Sequence, residues 1–463
     1  MPDRPEFDRF LIEGPIHKAV WRLAWPTMLQ NVVSGLQGLI DHAMVGHYVG
    51  FRGNAAIGVS WQIFVVVVVF ISSLYGGMGV LVARFAGAGD RERVDRVVKQ
   101  VFALSTFIGI AVFAPVGYFA APWLLDLVNA APEVQEEALP YLRTLFVFSL
   151  GIMHFFMLGG ALRAAGDART PMRLGILLTV LNIVLNVILI RGLGPIPAFG
   201  TQGAAMGTVL ASGVVTLIAF YLLFADRLVI RLSGWDGWSP NWNIIRNIFR
   251  FGLPTGFQGI AMNIGGVLMI RYVGSLEQSA AAQAAFAVGY TQLFSLITWT
   301  ATAVMASTAA IAGQNLGAKQ PERAAMVPWA ASGVGLMIAA PMALLFIVAP
   351  QALLGIFGME SPEVLALGEQ LLAYLSVSAL FVTAALSYTG ALQGTGDTRG
   401  PLYISLVSQL VLPLGICAIL DIAHGLQPGD IWLAIVVGHL TRCLFSMARF
   451  SQGKWRDIEV SLS

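Results

Sequence analysis

Residues 160–171 read GALRAAGDARTP, and residues 390–401 read GALQGTGDTRGP. Gly, Ala, Leu, Gly, Asp, Arg and Pro stand at matching positions, at an offset of 230 residues between positions 160 and 390. Two further pairs of segments repeat at nearly the same distance. Gly87-Ala88 and Glu92-Arg93 in the first half match Gly317-Ala318 and Glu322-Arg323 in the second half. RLAWPTMLQ (22–30) resembles RFGLPTGFQ (250–258). The chain is therefore predicted to contain an internal duplication.

The composition places this duplication in a membrane. Hydrophobic residues make up 57% of the 463 residues, the mean hydropathy is +0.76, and only 11% of the residues are charged. A soluble protein carries roughly 25% charged residues. The apolar residues form blocks such as Ile57 to Val82, long enough to cross a hydrocarbon core of about 30 Å. The alternation of a membrane β-barrel is absent. We therefore predict an all-α polytopic membrane protein.

Breaks at Gly, Pro and charged residues divide the apolar sequence into twelve predicted transmembrane helices. They cover residues 20–47, 56–82, 97–127, 140–162, 172–190, 200–224, 247–271, 280–309, 328–355, 364–392, 402–421 and 430–449.

The basic residues predict the orientation of these spans. With the N-terminus in the cytoplasm, four of the 27 Lys and Arg residues lie outside, one lies within span 12, and the remaining 22 lie inside. The five exceptions are Arg52, Arg143, Arg191, Arg271 and Arg442. We therefore expect both termini to be cytoplasmic, in the inner or plasma membrane.

The repeated turns follow spans 4 and 10, so the duplicated unit has six helices. Because six is even, the two six-helix bundles enter the bilayer in the same sense, related by a pseudo-two-fold axis along the membrane normal. The predicted division is an N-terminal lobe (1–226), a cytoplasmic linker (227–246) and a C-terminal lobe (247–463).

The repeated turn has two interpretations. In the first, Gly ends one helix, Asp caps the next and Pro stands in its first turn. In the second, Gly394-Thr395-Gly396-Asp397 is the GxGD motif of intramembrane aspartyl proteases. Proteolysis requires two facing carboxylates at membrane depth, whereas Asp397 and its counterpart Asp167 lie at cytoplasmic turns. The pattern favours capping.

One carboxylate, Asp41, lies deep inside a predicted span, about seven residues or roughly 10 Å below the outer end of span 1. Gln37 lies one turn inward on the same face. Asn182 and Asn186, four residues apart on span 5, and Thr208 on span 6 share the depth of Asp41. These oxygens could form a proton site or a cage for a small cation such as Na⁺.

The alternative is that buried Asn and Thr side chains join helices, each contributing about 0.6–2 kcal/mol. That role does not require a buried charge, so it accounts less well for Asp41. The second lobe has no equivalent carboxylate. Its interior polar residues could contact a substrate or join helices: Gln258, Asn263, Gln283, Tyr290, Gln292, Gln409, His439 and Arg442.

The sequence resembles the multidrug and toxic compound extrusion (MATE) family over nearly the whole chain. The resemblance rests on WPTMLQ, LIDHAMVGHYVG, LNIVLN, QGAAMGTVLAS and GQNLGAKQPERA, together with the two repeated turns. It implies a secondary antiporter that expels amphipathic, often cationic, compounds in exchange for H⁺ or Na⁺. The two bundles of such a protein rock between inward-open and outward-open forms.

The resemblance also implies roles for single residues. Asp41 matches the family's coupling aspartate in span 1, and Pro26 matches the proline that helps this helix bend. Asn182, Asn186 and Thr208 match residues that complete the coupling site. Two departures are visible. Asn186 stands where prokaryotic members often have Asp, and the segments TGFQGIAMNIGG and FVTAALSYTGAL lack the acidic residues of the NorM-like branch. The first departure favours protons over Na⁺, and the second favours a DinF-like coupling scheme in the first lobe.

Other functions fit the sequence less well. A lipid-linked oligosaccharide flippase of the same superfamily is the main alternative, but such proteins usually have more spans and several cavity arginines. The sequence contains no HExxH motif and no nucleotide-binding glycine loop, so neither an enzyme nor a cofactor is expected. The expected partners are small amphipathic organic substrates, H⁺ or Na⁺ and the lipid bilayer. No nucleic-acid partner is expected, and the protein is expected to act as a monomer.

Overall fold

A computed structural model describes residues 5–234 and 236–460, which are almost entirely helical. Twelve long helices follow one another in the chain. In order, α1 to α12 are Ile16–Tyr48, Phe51–Gly87, Arg91–Leu127, Pro132–Val147 with Ser149–Ala164, Arg169–Arg191, Gly200–Phe224, Trp242–Gly274, Ser279–Gly317, Pro321–Val348, Pro362–Thr395, Arg399–His424 and Pro428–Ser451. Short helical segments at Phe10–Glu13, Pro350–Gly355 and Lys454–Asp457 complete the described elements.

The long helices match the twelve predicted spans in number and order, with three differences. Span 4 is a pair of helices that meet at an angle of 52°. Span 9 was predicted to reach residue 355, whereas α9 ends at Val348 and a separate short helix follows. Among the described residues, ten helices and this bent pair are long and apolar enough to cross a membrane. The exception is α1, whose 33 residues include the Asp41 region and several other polar side chains.

The duplicated turn has the same backbone geometry in both copies. Gly166 and Gly396 adopt φ values of 101° and 100°, a left-handed conformation that glycine tolerates best. In the first copy the amide of Asp167 donates to the carbonyl of Leu162 at 2.8 Å, and in the second copy the equivalent bond measures 2.9 Å. The repetition in sequence is therefore a repetition of one helix–turn–helix joint.

The aspartates of these turns cap the helices that follow. Asp167 Oδ1 accepts from the backbone amides of Arg169 and Thr170, both at 3.0 Å. Asp397 Oδ1 accepts from the amide of Gly400 at 3.0 Å, and its Oδ2 accepts from Arg449 Nε at 2.7 Å. Both carboxylates thus satisfy free N–H groups at helix starts, as the capping interpretation predicts.

The described residues form two compact units. The first holds residues 29–252 and the described residues before Arg9, and the second holds residues 9–28 and 253 onward. The boundary in α1 falls two residues after Pro26, and the boundary in α7 falls just before Pro254. The predicted division into 1–226, 227–246 and 247–463 follows the sequence repeat and remains a prediction.

Part of the predicted linker is held against α3 by two buried side chains. Lys99 Nζ donates to the carbonyls of Ser233, Gly234 and Asp236 at 3.2, 3.2 and 2.9 Å. Gln100 Nε2 donates to the carbonyls of Gly237 and Ser239 at 2.6 and 2.7 Å. These five residues therefore form an ordered strap on the first unit.

Candidate functional site

The site begins with the close approach of α5 and α6. Gly203 and Gly207, one helical turn apart on α6, form a small-xxx-small pattern that lets two membrane helices pack backbone to backbone. A Cβ on Gly203 would lie 2.6 Å from the carbonyl carbon of Leu189, and a Cβ on Gly207 would lie 1.9 Å from Asn186 Oδ1. The missing side chain of Gly207 therefore leaves the space that the Asn186 amide occupies.

A chain of hydrogen bonds crosses α1, α5 and α6 at this level. Asn186 Nδ2 donates to Asp41 Oδ1 at 2.7 Å and is 3.2 Å from Asn182 Oδ1. Asn182 Nδ2 donates to Thr208 Oγ1 at 3.1 Å. Both asparagines are fully buried, and Asp41 and Thr208 are partly buried. The four residues predicted to share one depth thus form one hydrogen-bonded cluster, whose role in coupling remains a prediction.

Exchanging the nitrogen and oxygen of the Asn182 amide at the same two atom positions gives a second set of hydrogen-bond partners. In the orientation above, its oxygen faces Asp41 Oδ1, so two acceptors lie 3.0 Å apart. After a half-turn of the amide, its nitrogen donates to Asp41 Oδ1 at 3.0 Å and its oxygen accepts from Thr208 Oγ1 at 3.1 Å. The first arrangement needs a proton or a cation between the two oxygens, and the second suits an ionised carboxylate.

Polar contacts continue on both sides of this cluster. Thr179 Oγ1 on α5 donates to Gln37 Oε1 at 2.9 Å. Further along α1, His42 Nδ1 lies 3.2 Å from Asn54 Oδ1 on α2. Contacts between side chains therefore tie the C-terminal half of α1 to α2 and α5.

Pro26 and the predicted residues of the second lobe have other surroundings. Pro26 lies inside the continuous helix α1, where it removes one backbone donor. Gln258 is buried and bonds Ser405 and the side chain of Gln393 at 2.8 and 2.9 Å, a pattern that joins helices. Asn263 is exposed, and its amide donates to the carbonyl of Gly259 in its own helix at 2.9 Å.

Tyr290 and Gln292 lie on one π-helical turn of α8, Ala287–Leu293. Tyr290 and Gln292 are both partly buried. None of these second-lobe residues contributes a carboxylate. Within the described residues, no three His, Cys, Asp or Glu side chains are grouped so as to hold a metal ion.

Sequence reasoning missed the residues that shape the cluster. Gly207 was visible in the sequence as part of GAAMG, and its spacing from Gly203 was an available signal for helix packing. Thr179, the partner of Gln37, lies on the same helix as Asn182 and Asn186, one turn before Asn182.

Twelve long helices and a duplicated helix–turn–helix joint define an integral membrane protein of the α-helical class. The MatE family model matches residues 26–188 and again residues 254–419. The chain therefore belongs to the MatE family, and the two matches show that the family unit occurs twice.

Known proteins resemble the chain over almost its full length. It is 27% identical over 444 residues to a probable multidrug resistance protein NorM of Thermotoga maritima, covering 95% of this chain and 93% of that protein. A multidrug resistance MATE family transporter of the MOP superfamily, solved in an outward-facing conformation, is 25% identical, with a TM-score of 0.88 and coverage of 98% and 99%. A MATE protein solved in complex with MaL6 is 26% identical, with a TM-score of 0.87 and coverage of 96% and 98%.

Proposed function

We propose that this protein is a secondary multidrug efflux antiporter that exports amphipathic organic compounds in exchange for protons at Asp41. The observation that carries the proposal is the 2.7 Å bond between Asp41 and the buried amide of Asn186 in a MatE family chain. An ionisable group held inside a membrane helix bundle is costly, and such groups mark ion pathways in transporters. The names of the relatives support multidrug compounds as the substrate class.

The Asn182 amide supplies a chemical account of proton exchange. When Asp41 is ionised, both asparagine amides can donate to its Oδ1, at 2.7 and 3.0 Å. When Asp41 takes up a proton, its hydroxyl becomes a donor, and the Asn182 oxygen 3.0 Å away becomes a suitable acceptor. Protonation therefore reverses the polarity of one hydrogen bond between α1 and α5.

The hydrogen bond whose polarity reverses is formed by α1, the helix that is divided between the two units. Within α1, the residues up to Met28 belong to the second unit, and those from Leu29 belong to the first. Pro26, two residues before that boundary, removes a backbone hydrogen bond and lowers the cost of bending there. A change in the bonds of Asp41 can thus alter the position of the outer half of α1 and, with it, access to the first lobe.

Sodium is the second candidate for the exchanged ion. One carboxylate, the Asn182 oxygen and the Thr208 hydroxyl offer oxygen ligands, but Asn186 Oδ1 is directed toward Gly207 and has no hydrogen-bond partner. The cluster has a single negative charge, which is weaker attraction for a metal ion than two carboxylates would provide. These features favour the proton.

The deciding experiment combines a substitution with imposed gradients. We expect Asp41→Asn, an isosteric change that removes the ionisable group, to abolish ethidium efflux from proteoliposomes driven by a pH gradient. Asp126→Asn is the matched control, because Asp126 is exposed and its carboxylate accepts from the exposed amide of Gln135. Wild-type rates in Asp41→Asn would contradict the proposal, and efflux driven by a Na⁺ gradient alone would reassign the ion.

The proposal includes a location and an orientation. The excess of Lys and Arg on one side supports cytoplasmic termini in the cell membrane. The proposal also includes a monomer as the functional unit.

A further inference from the structure

The second unit contains a row of parallel aromatic rings between α8 and α12. Trp432 faces Phe286 at 6.1 Å between centroids, and Phe286 stacks on Tyr290 at 4.9 Å with 10° between the planes. Tyr290 stacks on Phe294 at 5.5 Å, and Phe294 on His439 at 5.7 Å. We call these five residues the aromatic row. Four of its rings are buried, and Tyr290 remains partly accessible.

A buried arginine lies at the inner end of this row. Arg442, 2% exposed, follows His439 by one helical turn on α12 and lies close enough to Tyr290 and His439 for its charge to act on both side chains. Among the described residues, no carboxylate forms an ion pair with Arg442, and no side chain or carbonyl accepts a hydrogen bond from it. A guanidinium in a membrane bundle without a counter-charge is costly, so its presence calls for an anion.

Two other polar atoms of α12 also lack partners. His439 Nδ1 and Trp432 Nε1 are enclosed and form no hydrogen bond, although their side chains are only 4% and 0% exposed. Nearly all buried polar atoms in proteins are paired, so unpaired ones on one helix face point to a ligand. Seven residues separate Trp432 from His439, and three separate His439 from Arg442. This spacing places all three residues on the side of α12 that faces α8.

The backbone of α8 is irregular at the same level. Its helix widens into the π-helical turn Ala287–Leu293, with Tyr290 at the centre. Such turns are rare and occur often at functional sites, because they redirect side chains out of the regular helical pattern. This irregularity of α8 is a second observation, independent of the unpaired charge of Arg442, and it is centred on Tyr290, the accessible residue of the aromatic row.

We propose that Arg442, His439 and Tyr290 form an anion subsite that binds the carboxylate of an aromatic substrate. The guanidinium supplies the positive charge, and the imidazole and the phenol supply further donors. The substrate ring lies against the edge of Tyr290, because Phe286 and Phe294 cover its two faces. The subsite rests on the proposed function and assigns to Arg442 the recognition of an acidic group on its amphipathic substrates. It lies in the second unit, whereas Asp41 lies in the first.

The test is a binding measurement on the purified full-length protein in detergent, with no ion gradient. Fluorescein carries an aromatic carboxylate, and fluorescein methyl ester has the same rings without that charge. By fluorescence anisotropy, we expect wild type to bind fluorescein about tenfold more tightly than the ester, because a charge-assisted hydrogen bond is worth roughly that factor. Because transport is not needed, a failure of Asp41-coupled efflux would leave this result unaffected.

A set of variants distinguishes a loss of carboxylate binding from a loss of folded protein. Arg442→Gln is expected to abolish the preference for fluorescein, and Arg442→Lys to keep part of it. Arg456→Gln is the matched control, because Arg456 is an exposed arginine paired with Glu322 in the same unit. If Arg442→Gln does not purify as a monodisperse protein, His439→Phe and Tyr290→Phe decide, each with an expected loss of about threefold. No preference in wild type, or a preference that survives these substitutions, overturns the proposal.

Discussion

The substitution Gly207→Ala tests the geometry of the cluster without altering any polar group. A Cβ at this position would lie 1.9 Å from Asn186 Oδ1, whereas ordinary contacts begin at 3.4 Å. The amide must therefore retreat by about 1.5 Å, since α5 and α6 already touch through Gly203 and cannot separate cheaply. A shift of that size breaks the 2.7 Å bond from Asn186 to Asp41.

The expected magnitude follows from the strength of that bond. A hydrogen bond to a charged group contributes about 1.5–3 kcal/mol, which corresponds to a factor of roughly 10 to 150. If the bond to Asp41 is part of the coupling cycle, pH-driven ethidium efflux from proteoliposomes should fall at least tenfold in Gly207→Ala. Gly213→Ala is the matched control on the same helix, because no atom lies within 4 Å of a Cβ there.

The comparison requires equal amounts of folded protein. Size-exclusion chromatography of the detergent-solubilised variants should therefore show a single symmetric peak for both alanine substitutions. Efflux by Gly207→Ala equal to that of Gly213→Ala would refute the argument that the Asn186 amide must stay against Asp41.

Two further predictions concern stability. Asp397→Ala should lower the melting temperature more than Asp167→Ala, because it loses the ion pair with Arg449 as well as the helix cap. The expected loss of unfolding free energy is about 2 kcal/mol for Asp397→Ala and about 1 kcal/mol for Asp167→Ala. Equal shifts in a thermal melt would contradict this. Lys99→Met should release the strap, because three of its carbonyls lose their shared donor, and should increase the rate of tryptic cleavage next to it. Arg93→Met, at a surface ion pair with Asp90 on the same helix, should leave that rate unchanged.

The spans could be predicted because a bilayer demands long apolar helices and tolerates few charges. The bend between Val147 and Ser149 could not, since the sequence there is as apolar as a straight span. Its packing depends on distant residues: Gly151 lies against the backbone of Gly213, a contact that no local pattern encodes.

The membership of the candidate site could also be predicted, because depth along a helix follows from residue number at about 1.5 Å per residue. This reasoning placed Asp41, Asn182, Asn186 and Thr208 in one layer, and hydrogen bonds join them. The order of donors and acceptors could not be predicted. It depends on how closely α5 and α6 approach, and that distance depends on Gly207.

The most direct measurement of the central claim is proton release on substrate binding. Purified protein in weakly buffered detergent solution near neutral pH is mixed with ethidium, and a pH-indicator dye follows the protons released. The account predicts that wild type and Asp126→Asn release protons in a saturable, substrate-dependent manner and that Asp41→Asn releases none. Equal release from Asp41→Asn and wild type would contradict the assignment of Asp41 as the group that exchanges its proton for substrate.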